Sequence, residues 1–192
     1  MSKTLTLNIV GTSPLLCHNP IKMGGSGNGL GKKVIPSADD EAAVGVYAGL
    51  KGTFQHPAMG IRNGLLDAAK GRRISKQPAT FVVGGAVFAR DEFVTLVHPE
   101  SGEPLTTYEV DTRRAVVQRQ GVLRSRPRFR DWSVTIVLIF EDDLVSPKVV
   151  VELAQLAGRL VGLGDYRPRC KGPFGRYVVR WYEVEGEKRV TL

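Results

Sequence analysis

Cysteine is scarce in this 192-residue chain, which has only Cys17 and Cys170, too few for the multi-bridge framework of a small secreted domain. No CxxC pair or His/Cys cluster offers four zinc ligands at usable spacing, so no metal or other cofactor is expected, and the cysteine usage fits a reducing, cytoplasmic setting. Long apolar runs are lacking too. No stretch approaches the roughly 18 residues that a membrane span needs. The N-terminal MSKTLTLNIVGTSPLL alternates threonine with apolar residues, where a signal peptide has an unbroken apolar core. There is no Walker GxxxxGK[ST] sequence. The glycines near the C-terminus follow a helical pattern and open a strand, the reverse of a dinucleotide fingerprint.

One absence is local. Residues 113–130 contain no Asp or Glu, yet hold Arg113, Arg114, Arg119, Arg124, Arg126, Arg128 and Arg130. That stretch holds nearly all of the net +8 that 27 Lys and Arg leave over 19 Asp and Glu. A second basic group, Arg167, Arg169, Lys171, Arg176 and Arg180, is opposed within its own stretch only by Asp165. The planar arginine fork binds phosphate in bidentate fashion and stacks on bases, so two such stretches point to a polyanion site; a solvated charged face is the plainer alternative.

What is present suits a folded chain: 42% hydrophobic and 24% charged residues are ordinary for a globular protein, and the length fits one domain over 1–192. Residues 3–10 alternate as a strand. Lys22, Lys32 and Lys33 lie in a glycine-rich stretch without periodicity, expected to be a flexible loop at about 22–36. A short helix is expected around 38–50 and another over 59–70. Two β-rich stretches follow at 79–98, then a turn at 99–104 and a strand over 105–118. Residues 133–140 form a β-branched apolar strand. Ser146 then caps a helix with Pro147 at its first position, and a glycine loop leads into a last strand over 176–184. Two βαβ-type halves on one antiparallel sheet, helices on one face, give an α+β, ferredoxin-like or RRM-like layout.

The loop containing Gly162, Gly164, Tyr166, Gly172, Phe174, Gly175 and Arg176 resembles the signature loop of the RAMP superfamily of CRISPR-associated proteins, which holds Cas5, Cas6 and Cas7. The helix with Pro57, Arg62 and Leu65 is similar to that family's Pro-x-x-x-x-[Arg/Lys]-x-x-Leu helix, and 12–16 (TSPLL) to the end of its first strand. Pro173 before Phe174 departs from the pattern. The segments around Arg124, Arg126, Arg128 and Trp132, and around Gly162 to Pro168, also resemble phage and prophage proteins of this size. The resemblance implies a ferredoxin-like domain that binds RNA, and a Cas7-like subunit assembling side by side along a strand.

The expected function is therefore non-enzymatic binding of single-stranded RNA or DNA, by a homo-oligomer or a subunit of a ribonucleoprotein complex, with no membrane involved. Arg124, Arg126, Arg128 and Arg130 would meet phosphates, with Arg167, Arg169, Lys171 and Arg176 beside Gly162, Gly164, Gly172 and Gly175, whose missing side chains let backbone approach a ligand. Tyr166, Phe129 or Trp132 would stack on bases, with core packing the competing role for each. Lys22, Lys32 and Lys33 would close over the strand. An enzymatic role is open as well, that of a Cas6-like, metal-independent ribonuclease using His18 as general acid or base. Two more roles fit the same features: a phage single-stranded-DNA-binding protein, and a mimic that docks on a CRISPR complex and inhibits it. His56 and His98, each before a proline, read as turn residues. The acidic triplets 39–41 and 141–143 read as a helix start and a solvated turn. Cys17 and His18, adjacent in sequence, should face opposite ways.

Overall fold

A computed structural model describes residues 1–20, 36–117 and 120–192; Lys22, Lys32, Lys33 and Arg119, and the expected loop around the three lysines, lie outside the described residues. The central strand, β1 (Ser2–Gly11), alternates as its sequence demands: Leu5, Leu7 and Ile9 are fully buried, while Thr4 and Thr6 lie on the other face. It pairs antiparallel with β11 (Ser133–Glu141) on one side, Leu7 opposite Ile136, and with β12 (Tyr177–Val184) on the other. A short strand, β7 (Val87–Ala89), pairs with β11, and β13 (Val190–Thr191) extends β12, giving the order β13-β12-β1-β11-β7. Setting β13 aside, the first, second, third and fourth strands of the sheet stand in the order 4-1-3-2, the ferredoxin-like arrangement.

The helices that link these strands cover one face. α2 (Ala58–Ala68) lies between β1 and β7 in sequence and buries Ile61 and Leu65; α4 (Pro147–Leu160) joins β11 to β12 and buries Val150, Leu153, Ala154 and Ala157, three to four apart. The two helices pack together, Gly64 facing Ala157. Pro147 opens α4, but the Ser146 side chain makes no capping bond. α1 (Ala38–Val44) is shorter than expected: Ser37 caps it by accepting from Asp40 N, and Gly45 ends it.

One expected strand is a helix. Residues 79–86 (ATFVVGGA) form α3 (Ala79–Ala86), and only Val87–Ala89 are extended. The apolar run shows no period by type, yet Ala79, Val83 and Ala86 are buried at helical spacing while Phe81 is 73% exposed. Packing against α2 overrode the β propensity of the valines.

Further strands stand beside the core. β9 (Glu109–Val117) and β10 (Gln120–Phe129) form a long antiparallel hairpin, and β2 (Leu15–Leu16) pairs with the end of β10. β3 (Tyr47–Ala48), β4 (Phe54–Pro57) and β8 (Phe93–Thr95) make a small second sheet. β5 (Arg73–Ile74) and β6 (Gln77–Pro78) pair in a short turn ahead of α3. Among the described residues no helix is long and apolar enough to cross a membrane.

Candidate nucleic-acid interface

Strand alternation sorts the arginines. On β10, Ser125, Pro127 and Phe129 are buried, so Arg124, Arg126 and Arg128 share the opposite, half-open face. The hairpin register sets Arg113 opposite Arg124, Asp111 opposite Arg126 and Glu109 opposite Arg128 on that same face. The acid-free sequence is thus not an acid-free surface. Arg113 Nε donates to Asp111 Oδ1 at 2.6 Å and Arg128 Nε to Glu109 Oε2 at 2.9 Å. Arg130 Nη2 donates to Glu109 Oε1 at 3.0 Å, and Arg124 Nη1 to Glu41 Oε1 at 3.0 Å. Arg126 Nε lies 2.5 Å from Asp165 Oδ2, out of line for a hydrogen bond and so held by charge. Five arginines therefore face four carboxylates. The bonds from Arg128 and Arg130 hold the Glu109 carboxyl below its ordinary pKa.

Glu41 is the less expected partner. It sits in the first turn of α1, where a carboxylate suits the helix dipole, and also accepts from Ser125 N at 2.9 Å, fastening the helix to the hairpin. The 39–41 triplet opens the helix as expected, and its Glu41 also joins that helix to the hairpin. At the other triplet, Asp142 takes Lys3 and the N-terminal amine, which pull its pKa down to about 2.

The glycine loop lies against this face. Arg126 reaches Asp165 in it, and the Arg113 guanidinium stands 4.7 Å from the centre of the Phe174 ring, a cation–π contact. Phe174 is buried, with Tyr166 beside it at 6.1 Å and 42% exposed. The glycines, however, bring the chain close to itself. A Cβ at Gly172 would fall 1.7 Å from Tyr166 O, and one at Gly175, whose φ is +67°, 1.8 Å from Leu163 O. Leu163 N donates to Gly175 O, Gly175 N to Pro14 O, Asp165 N to Leu16 O and Gly172 N to Arg167 O. These amides are committed to the loop and to the segment that follows β1, so what the loop turns outward is chiefly side chains.

Those side chains divide. Arg167 Nη1 donates to Gly164 O at 2.7 Å and Arg169 Nε to Asp67 at 3.3 Å. Lys171 and Arg176 are exposed and have no ion-pair partner among the described residues. Arg180, on β12, donates to Pro99 O. Two aromatics lie where no base can stack: Phe129 is buried against Phe54 and Tyr108, and Trp132 is fully buried with Nε1 on Ser13 O. Tyr166 is the expected stacking residue that remains at the surface.

Beside the loop is a cleft of about 340 Å³, lined by His18, Tyr47, His56, Asn63, Asp67, Asp165 and Arg167 among others. His18 is exposed and the neighbouring Cys17 buried, opposite ways as expected; burial pushes the Cys17 thiol up to about 12. His56 is no turn residue. It belongs to β4, is 6% exposed, and its Nδ1 donates to Pro57 O at 3.0 Å. Burial, with Arg167 nearby, lowers its pKa to about 4, so it is neutral at pH 7. His98 does sit in a turn, its N donating to Glu103 O. Tyr47, His56 and Asp67 lie outside the motifs and Asn63 is an unspecified position within the Pro57–Leu65 one, so the packing of α2 against the loop is what collects them.

No family model matches the sequence, and no curated protein matches it. Among solved structures, a chain in the cryo-EM structure of the Type III-B Cmr-beta bound to cognate target RNA has a similar fold, with a TM-score of 0.57 and 14% sequence identity. The match covers 95% of this chain and 60% of that one, so this chain spans about three fifths of its length. The likeness is one of fold, and it agrees with the α+β, ferredoxin-like layout expected from the sequence.

Proposed function

We propose that this chain binds single-stranded nucleic acid, RNA before DNA, as a non-enzymatic, Cas7-like subunit of a ribonucleoprotein assembly whose protomers lie side by side along the strand. The observation that carries the reading is the contiguity of the two arginine-rich stretches: Arg126 to Asp165 and Arg113 over Phe174 join the hairpin face to the loop. The fold likeness to a chain of an RNA-bound structure supports RNA as the partner.

On this reading Arg113, Arg128 and Arg130, partly exposed, exchange a carboxylate for a phosphate as the strand arrives, while Lys171 and Arg176 add charge without that competition. Tyr166 stacks on an unpaired base at the rim. The row on β10 repeats every second residue, about 6.6 Å, close to the span of one extended nucleotide, so successive arginines meet successive phosphates. Native mass spectrometry of the purified protein, with and without Arg126→Glu, tests the reading. Nucleic acid on the wild type in multiples of a fixed length per subunit, lost in the variant, is expected; a bare monomer that ignores added RNA would overturn it.

A second reading, a ribonuclease, draws on the presence of His18 and His56 in one cleft with Asp67 and Asp165. RNA cleavage that disappears in His18→Ala would establish it and displace the binder.

A further inference from the structure

The cleft beside the glycine loop differs in chemistry from the arginine face it adjoins. Two of its walls are carboxylates. Asp67 is held by Lys70 and by Arg169 at 3.3 Å, and Asp165 accepts from Tyr166 N at 2.8 Å. Among the described residues its lining holds one arginine, Arg167, whose Nη1 is on Gly164 O. A phosphate is poorly served by such a lining. Acceptors prevail instead: a carboxylate has about four lone-pair sites, so each Asp keeps capacity. His56, with Nδ1–H on the Pro57 carbonyl, has an unprotonated Nε2 to offer. Asn63, exposed on α2, supplies an amide that both donates and accepts. Tyr47 lies 6.1 Å from His56, ring to ring and tilted by 53°, and both line the cleft.

From this lining we propose that the cleft receives one unstacked nucleobase bearing an exocyclic amino group, adenine, cytosine or guanine, from the strand whose phosphates lie on the arginine face. The inference rests on the strand-binding reading and deepens it. About 340 Å³ is enough for one base, at the small end of ligand pockets. Amino hydrogens meet the carboxylates and His56 Nε2, and Asn63 reads the ring edge in the bidentate manner that side-chain amides use with bases. Uracil presents carbonyl oxygens where the amino group would be, opposite acceptors, and is disfavoured. Asp165 belongs to both regions, paired with Arg126 on one side and lining the cleft on the other, so base and phosphate would be read by adjoining parts of one surface.

Free nucleosides carry no phosphate, so they probe the cleft separately from the arginine face. Amide chemical shifts of the full chain are followed as adenosine, cytidine and uridine are added. Adenosine and cytidine should shift Gly60, Gly64, Gly162 and Gly164 and bind about tenfold more tightly than uridine. Asn63→Leu, at an exposed helix position, should remove that preference while leaving the rest of the spectrum in place. Uridine binding as well as the other two, or no shifts at these amides at about 10 mM nucleoside, a concentration that detects even weak millimolar binding, overturns the assignment. Strand binding without nucleoside shifts overturns the cleft alone. Nucleoside shifts without strand binding overturn the claim that the base belongs to a strand.

Discussion

The two arginine-rich stretches, so alike in composition, are built in opposite ways. On the hairpin the charge is regular and nearly balanced, with each arginine of the row meeting a carboxylate from Glu41, Glu109, Asp111 or Asp165. In the glycine loop Lys171 and Arg176 lack such partners among the described residues, but the backbone is tied to itself and to the segment after β1. Charge density in the sequence therefore overstates the free charge of the hairpin, and glycine density overstates the free backbone of the loop. Combined, they give a spaced row of arginines against a rigid frame.

Breaking the frame should have the largest effect. Gly175→Ala places a Cβ 1.8 Å from a carbonyl oxygen at a φ of +67°, and should lower unfolding free energy by about 3 kcal/mol or more in urea denaturation. A loop that tolerates alanine there would not be the frame described. Acid tests the same region through His56, which packs against Gly60 at the cleft. Its folded pKa is depressed to about 4 from 6.5, so the unfolded chain takes up the proton first. Stability should be complete above pH 6.5 and fall by up to about 3 kcal/mol between 6.5 and 4. His56→Gln should flatten that limb in a pH series of thermal melts.

The hairpin variants act on binding. Arg126→Glu sets a carboxylate against Asp165 at the junction of the stretches, and should weaken single-stranded RNA binding about tenfold or more at low salt. Fluorescence anisotropy reads the change. Glu109→Gln is subtler: if the carboxylates compete with phosphate for Arg128 and Arg130, removing this one should tighten binding about threefold. Weaker binding would mean instead that Glu109 mainly holds the arginines in place.

Much of the fold was legible in the sequence because its signals are local. The Leu5-Leu7-Ile9 alternation, the β-branched run of β11 and Pro147 at the start of α4 each specify their element. The run at 79–86 was not, since its helical burial of Ala79, Val83 and Ala86 depends on α2. At the site, the contiguity of the two stretches was legible only as composition. The neutralising acids were hidden by register. Glu109 and Asp111 precede the acid-free stretch, and the antiparallel pairing of β9 with β10 carries them back over it; recognising that pairing would have revealed them. Glu41 and the cleft residues come from distant segments, so no spacing rule could collect them.

The central claim is that the arginine face and loop together bind the phosphates of a single strand. The salt dependence of RNA affinity tests it most directly. With four or five phosphates neutralised, the slope of log affinity against log salt should be about −3, and shallower in Arg126→Glu. A wild-type slope shallower than about −1, or one unchanged by the substitution, would contradict the account.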